Sequence, residues 1–77
     1  MTENSLGKIL KEMYENAKGD KVAHIHLFGI KYADIIEKEG LCKKEIRKSA
    51  GIPKSYDTEI SKGICLAKYV TIKEKYI

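Results

Sequence analysis

A chain of 77 residues is one domain at most, and at this size only about 60% of the unfolded surface is buried on folding, so the core is small and a partner chain is a natural source of extra stability. Hydrophobic residues make up 43% and charged residues 34%, too apolar for a disordered tail and too charged for a membrane protein. No apolar run approaches a transmembrane span or a secretory signal, and the opening Met1-Thr2-Glu3-Asn4 is polar, so the expected location is the cytoplasm, with no membrane partner, where Cys42 and Cys65 stay reduced and read as small, partly buried residues.

The first periodic segment covers residues 5–18. Leu6, Ile9, Leu10, Met13 and Ala17 recur at three- and four-residue steps beside Tyr14, the spacing of one helical face, which serves as core or as a dimer contact. Asn4 or Ser5 can cap its start, and Gly19 can end it.

Residues 22–39 carry two periods at once. Val22-Ala23-His24-Ile25-His26-Leu27-Phe28 alternates like a strand, whereas Ile25, Phe28, Tyr32, Ile35 and Ile36 step like a helix. From about Leu27 onward the helix is expected, ending at Gly40, and residues 22–27 stay open to a strand.

A short helix over residues 42–49 follows, then the turn Ala50-Gly51-Ile52-Pro53, then a second helix from Lys54 to about Cys65 in which Pro53 suits a first helical position. The end of the chain, residues 69–76, alternates and is rich in β-branched and aromatic residues, the pattern of a strand that needs a partner or forms a wing. The expected fold is therefore mainly α, a single small domain over residues 1–77 of about four helices with a short C-terminal strand.

The charge of +4 is unevenly placed. Between residues 41 and 68, Lys43, Lys44, Arg47, Lys48, Lys54, Lys62 and Lys68 face only Glu45, Asp57 and Glu59, and the rest of the chain cancels. Clustered Lys and Arg is the footprint of phosphate binding, although it is also that of any solvated basic face. At 100° per residue the second helix turns Tyr56, Ile60 and Ala67 inward, with Ile52, Gly63 and Ile64 in the same stripe, and Lys54, Ser55, Thr58, Ser61 and Lys62 outward. Such short polar and basic side chains suit a groove: lysines meet phosphates or guanine, and hydroxyls meet base edges.

Residues 41–63, LCKKEIRKSAGIPKSYDTEISKG, resemble the helix-turn-helix of Cro and phage-repressor type regulators, in which a leucine-led helix ends in Ala-Gly and the recognition helix ends in glycine. The resemblance implies that Lys54, Ser55, Thr58, Glu59 and Lys62 face the groove, and the basic face adds Lys44 and Lys48. Two positions depart from that pattern: Arg47 stands where a small residue is usual, and Asp57 where an apolar one is. The whole chain also resembles small bacterial proteins described only as helix-turn-helix-like.

His24, His26, Cys42 and Cys65 are four potential zinc ligands, and on a strand the two histidines would share a face. The cysteines lack C-x-x-C spacing, so ordinary roles are favoured and no metal or other cofactor is expected. A Cys/His nucleophilic pair has no oxyanion site beside it, the glycines form no phosphate loop, and so short a chain hardly encloses a cleft. No catalytic residue and no small-molecule ligand are expected. The function read from the sequence is sequence-specific binding of double-stranded DNA by a homodimer, for transcription control or DNA targeting, joined through residues 5–18 or the terminal strand. The alternative is a protein-interaction module, an adaptor or antitoxin-like partner on the same scaffold.

Overall fold

Apolar residues three and four apart set the path of the chain. In the computed structural model, which describes residues 1–76, four helices follow one another: α1 (Glu3–Asn16), α2 (Lys21–Lys38), α3 (Lys43–Ala50) and α4 (Tyr56–Leu66), with a 3-10 turn at Glu74–Tyr76.

Helix α1 begins ahead of the expected start. Thr2 is the N-cap, its hydroxyl accepting from the Ser5 N–H at 3.1 Å while Ser5 Oγ accepts from the Thr2 N–H at 2.9 Å, a reciprocal capping box that satisfies two otherwise orphaned donors. Residues 22–27 belong to α2 and not to a strand. The helical period wins because it gathers Ile25, Phe28, Gly29, Ala33 and Ile36 on one buried stripe, whereas alternation would have grouped Val22, which is exposed. Gly40 N–H donates to Glu37 O and Leu41 N–H to Ile36 O, the paired bonds of a Schellman end, so α2 stops where the sequence suggests.

The expected C-terminal strand does not form. Among the described residues no strand is present; residues 70–73 have no regular structure and Glu74–Tyr76 makes the 3-10 turn. A lone strand leaves its backbone groups without a ladder, and the segment that could have paired with it is helical. The wing falls with it.

Helix α1 lies along α3 and α2 along α4, with further contacts of α1 on α2 and of α3 on α4 joining the pairs. Leu6, Leu10, Ile25, Phe28, Ile46 and Ile60 are completely enclosed between them, and no polar or charged residue is buried among the described residues. Helices α2 and α4 approach closely at Gly29 and Gly63. A β-carbon on Gly63 would stand 2.5 Å from His26 O and 3.0 Å from Gly29 Cα, so α2 and α4 meet backbone to backbone. Gly63 therefore lies inside α4, which runs on to Leu66, rather than ending it.

Candidate nucleic-acid interface

The turn between α3 and α4 is set by Gly51, which closes α3 at φ +71° with its N–H donating to Arg47 O and Lys48 O. That left-handed conformation is open to glycine at little cost. Ile52 then drops into the core, 5% exposed, and Pro53 O and Lys54 O accept from the N–H groups of Tyr56 and Asp57. Pro53 thus precedes a tight turn, and regular α4 begins at Tyr56. Ile46, Ala50, Ile52, Ile60, Gly63 and Ile64 are buried and Tyr56 and Ala67 half-buried, the inward stripe that the periodicity predicts.

The outward face of the motif carries most of the expected residues. Lys44, Lys48, Lys54, Ser55, Thr58 and Lys62 are exposed. Ser61 is half-buried and its hydroxyl accepts from Lys43 Nζ at 3.3 Å, which brings Lys43 to the same surface. Lys48 lies 3.7 Å from Glu45 on the exposed side of α3, so part of its charge is compensated.

Glu59 is placed differently. Its Oε1 accepts from His26 Nε2 on α2 at 2.7 Å, and its other oxygen lies 3.6 Å from Lys62 Nζ. The hydrogen bond from His26, helped by Lys62, holds the Glu59 carboxyl below the usual carboxylate range. Its carboxylate is engaged with α2.

Arg47 and Asp57, the two departures from the phage-repressor pattern, meet each other. Arg47 Nε donates to Asp57 Oδ1 at 2.8 Å and Nη2 to Oδ2 at 3.4 Å, with side chains 12% and 20% exposed. This two-pronged contact lowers the Asp57 carboxyl, Lys44 and Lys54 adding to the effect. A charged pair therefore bridges α3 and α4 where a small and an apolar residue would otherwise pack. Facing departures of opposite charge were the one local sign of it.

The potential zinc ligands are dispersed. His24 Nδ1 donates to Asp20 O, His26 is held by Glu59, and Cys42 and Cys65 are both free and exposed, rather than partly buried. Among the described residues no three His, Cys, Asp or Glu side chains come together in a metal-binding group.

Two short helices joined at a left-handed glycine, the second presenting a polar and basic face and both carried on two longer helices, define a helix-turn-helix domain. The chain belongs to the HTH-like domain family, whose sequence model matches residues 2–73. Comparison with curated proteins and with solved structures finds no match. No helix among the described residues is long and apolar enough to cross a membrane.

Proposed function

We propose that this domain binds double-stranded DNA sequence-specifically, without catalysis, by laying α4 in the major groove in the manner of Cro and phage-repressor type regulators. Its role would be transcription control or DNA targeting. One observation carries the reading: both acidic residues in the first turn of α4 are engaged by neighbouring helices, Asp57 by Arg47 and Glu59 by His26. The turn and helix that would face the phosphates therefore present Lys54, Ser55, Thr58 and Lys62 with the helix's carboxylates already neutralised or turned aside.

A homodimer fits this role, because one unit makes few base contacts and two half-sites lie about 34–36 Å apart. The molecule measures 29 × 27 × 19 Å, so two copies side by side span that spacing. Leu66, Tyr69 and Val70, beyond the groove-facing part of α4, are exposed at 39%, 78% and 44% and supply an apolar contact for a second copy in place of the strand.

The test is fluorescence anisotropy with a random-sequence duplex over a salt series, followed by selection of preferred sites. Micromolar, salt-steep binding that sharpens on a palindrome supports the reading. Absence of binding at low salt refutes it and favours the protein-interaction module.

A further inference from the structure

Helix α1 carries lysines that the recognition motif does not explain. Lys8 and Lys11 are exposed one turn apart and, with Thr2, Asn4, Ser5 and Ser49, line an open cleft of about 580 Å³ where α1 meets α3. The two helices touch closely there: a β-carbon on Gly7 would stand 2.5 Å from Ser49 Cβ and 3.0 Å from Ile46 O. With no bulk between them, the lysines of α1 lie directly across from the C-terminal turn of α3, where Lys48 precedes Ser49. Lys44 is one turn earlier on α3. Both it and Lys54, just before α4, are close enough to Asp57 to act on its carboxyl. Lysines thus stand on α1, on α3 and just before α4, with Glu45, beside Lys48, the one exposed acid of α3.

Lys8, Lys11, Lys44 and Lys54 make no ion pair among the described residues. The acidic groups of α1 lie elsewhere: Glu3 faces Cys42, and Glu12 lines a different cleft with Ile9, Met13 and Leu27. Glu15 is exposed one turn beyond Lys11.

We infer that the DNA-binding surface continues from α4 across α3 onto α1, where Lys8 and Lys11 take phosphates of the duplex flanking the groove that α4 enters. The inference rests on the DNA-binding reading above. Helix α1 packs along α3 and also meets the start of α4, where the Tyr14 and Tyr56 rings stand 5.4 Å apart. The exposed Lys8 and Lys11, across the cleft from Ser49 on α3, are the charges of α1 offered to backbone phosphates beside the groove that α4 enters. Charge complementarity to a polyanion and continuity with the α4 face single out the same DNA molecule as the partner. Contacts of this kind strengthen binding to every sequence and add nothing to base choice.

The experiment compares wild type, K8A/K11A and K31A by anisotropy on a random-sequence duplex over a salt series. Lys31 is an exposed lysine on α2, outside the cleft of Lys8 and Lys11, lining two other clefts, one with Glu12 and one with Ile30 and Ile72, and serves as the control for net charge. All three substituted positions are solvated, and matching thermal melts confirm that the fold is retained. Each phosphate contact adds about 0.9 to the slope of log K against log salt, so K8A/K11A is expected to flatten the slope by about two with site preference unchanged, and K31A to leave it alone. Wild-type binding with an unaltered slope in K8A/K11A, or an equal loss per lysine in K31A, overturns this inference and leaves the DNA reading standing. Failure of the wild type itself to bind removes both.

Discussion

Replacing Gly63 by alanine sets two effects of opposite sign against each other. Alanine in a helix interior is favoured over glycine by about 1 kcal/mol, and propensity alone dictates a more stable protein. The new methyl, however, would stand 2.5 Å from His26 O and 3.0 Å from both Gly29 Cα and His26 Cα. These are backbone atoms of α2 and cannot rotate aside, so the helices must part by about 0.9 Å to regain ordinary contact. That separation loosens Ile25, Phe28, Ile60 and Ile64 together, and overpacking of this kind costs about 1–3 kcal/mol, here at the upper end because nothing flexible yields. The net expectation is a loss of about 1–2 kcal/mol. For a domain of this size it lowers Tm by about 4–16 °C, read by circular dichroism melts. The methyl of G29A meets Gly63 Cα, Ile60 O and Ile64 N at 2.8 Å, so it is expected to act alike, and G29A/G63A to cost less than the two singles combined because both methyls enter one widened gap. A rise in Tm for G63A would refute the argument and show that α2 and α4 are not in backbone contact.

Asp57→Ala leaves a guanidinium only 12% exposed without its carboxylate and is expected to cost about 1–3 kcal/mol in urea unfolding. Substituting both partners, R47A with D57L, restores the small and apolar pair and is expected to recover most of that loss. Three carboxyls, Glu3, Asp57 and Glu59, lie below their ordinary range, held by the Cys42 N–H, Arg47 and His26 respectively. Because their folded pKa values are depressed, the unfolded chain takes up protons that the folded one refuses. Stability is therefore complete above about pH 5 and falls as pH descends through the carboxylate range, an acid limb that D57N with E59Q should flatten in melts across pH. On duplex DNA, Lys62→Ala is expected to weaken binding to all sequences and to reduce the salt slope by about one unit. Thr58→Ala is expected to change the ranking of sites instead, and equal losses from both on every sequence would remove the proposed groove face.

The elements legible from the sequence are those whose signal is local. The α1 stripe, the glycine turn at Gly51 and the inward residues of α4 follow from three- and four-residue spacing and from turn chemistry. Residues 22–27 and 69–76 misled because alternation describes only a compatible surface, while a strand exists only if a neighbour completes its ladder. Once α2 took the first segment, the second had no partner. Of the site residues, Thr58 and Lys62 could be placed by angle around α4 alone, while Lys54 and Ser55 stand in the turn just before it. Glu59 could not, since its partner, His26, is 33 residues away and sits on a helix whose first turns carry two periods at once. The glycines divide similarly: Gly40 and Gly51 announce helix ends, but Gly29 and Gly63 reveal their purpose only when two helices cross.

Helix α3 owes its beginning to a residue at the other end of the chain. Its N-cap, Cys42, provides no side-chain cap; instead the Cys42 N–H donates to Glu3 Oε2 at 3.1 Å, 39 positions away. Eight residues are too few to hold a helix in water on their own, so α3 exists only while α1 is docked on it. The helix-turn-helix is accordingly not a portable cassette. An excised peptide of residues 41–68 would lose the carboxylate that opens α3 and the wall of Leu6 and Leu10 behind it, and a graft of α4 into another scaffold would need a glycine waiting opposite Gly63. On the DNA-binding reading proposed above, sequence preference is expected to respond to exchanges of side chains on the solvated side of α4 with the four-helix frame left whole.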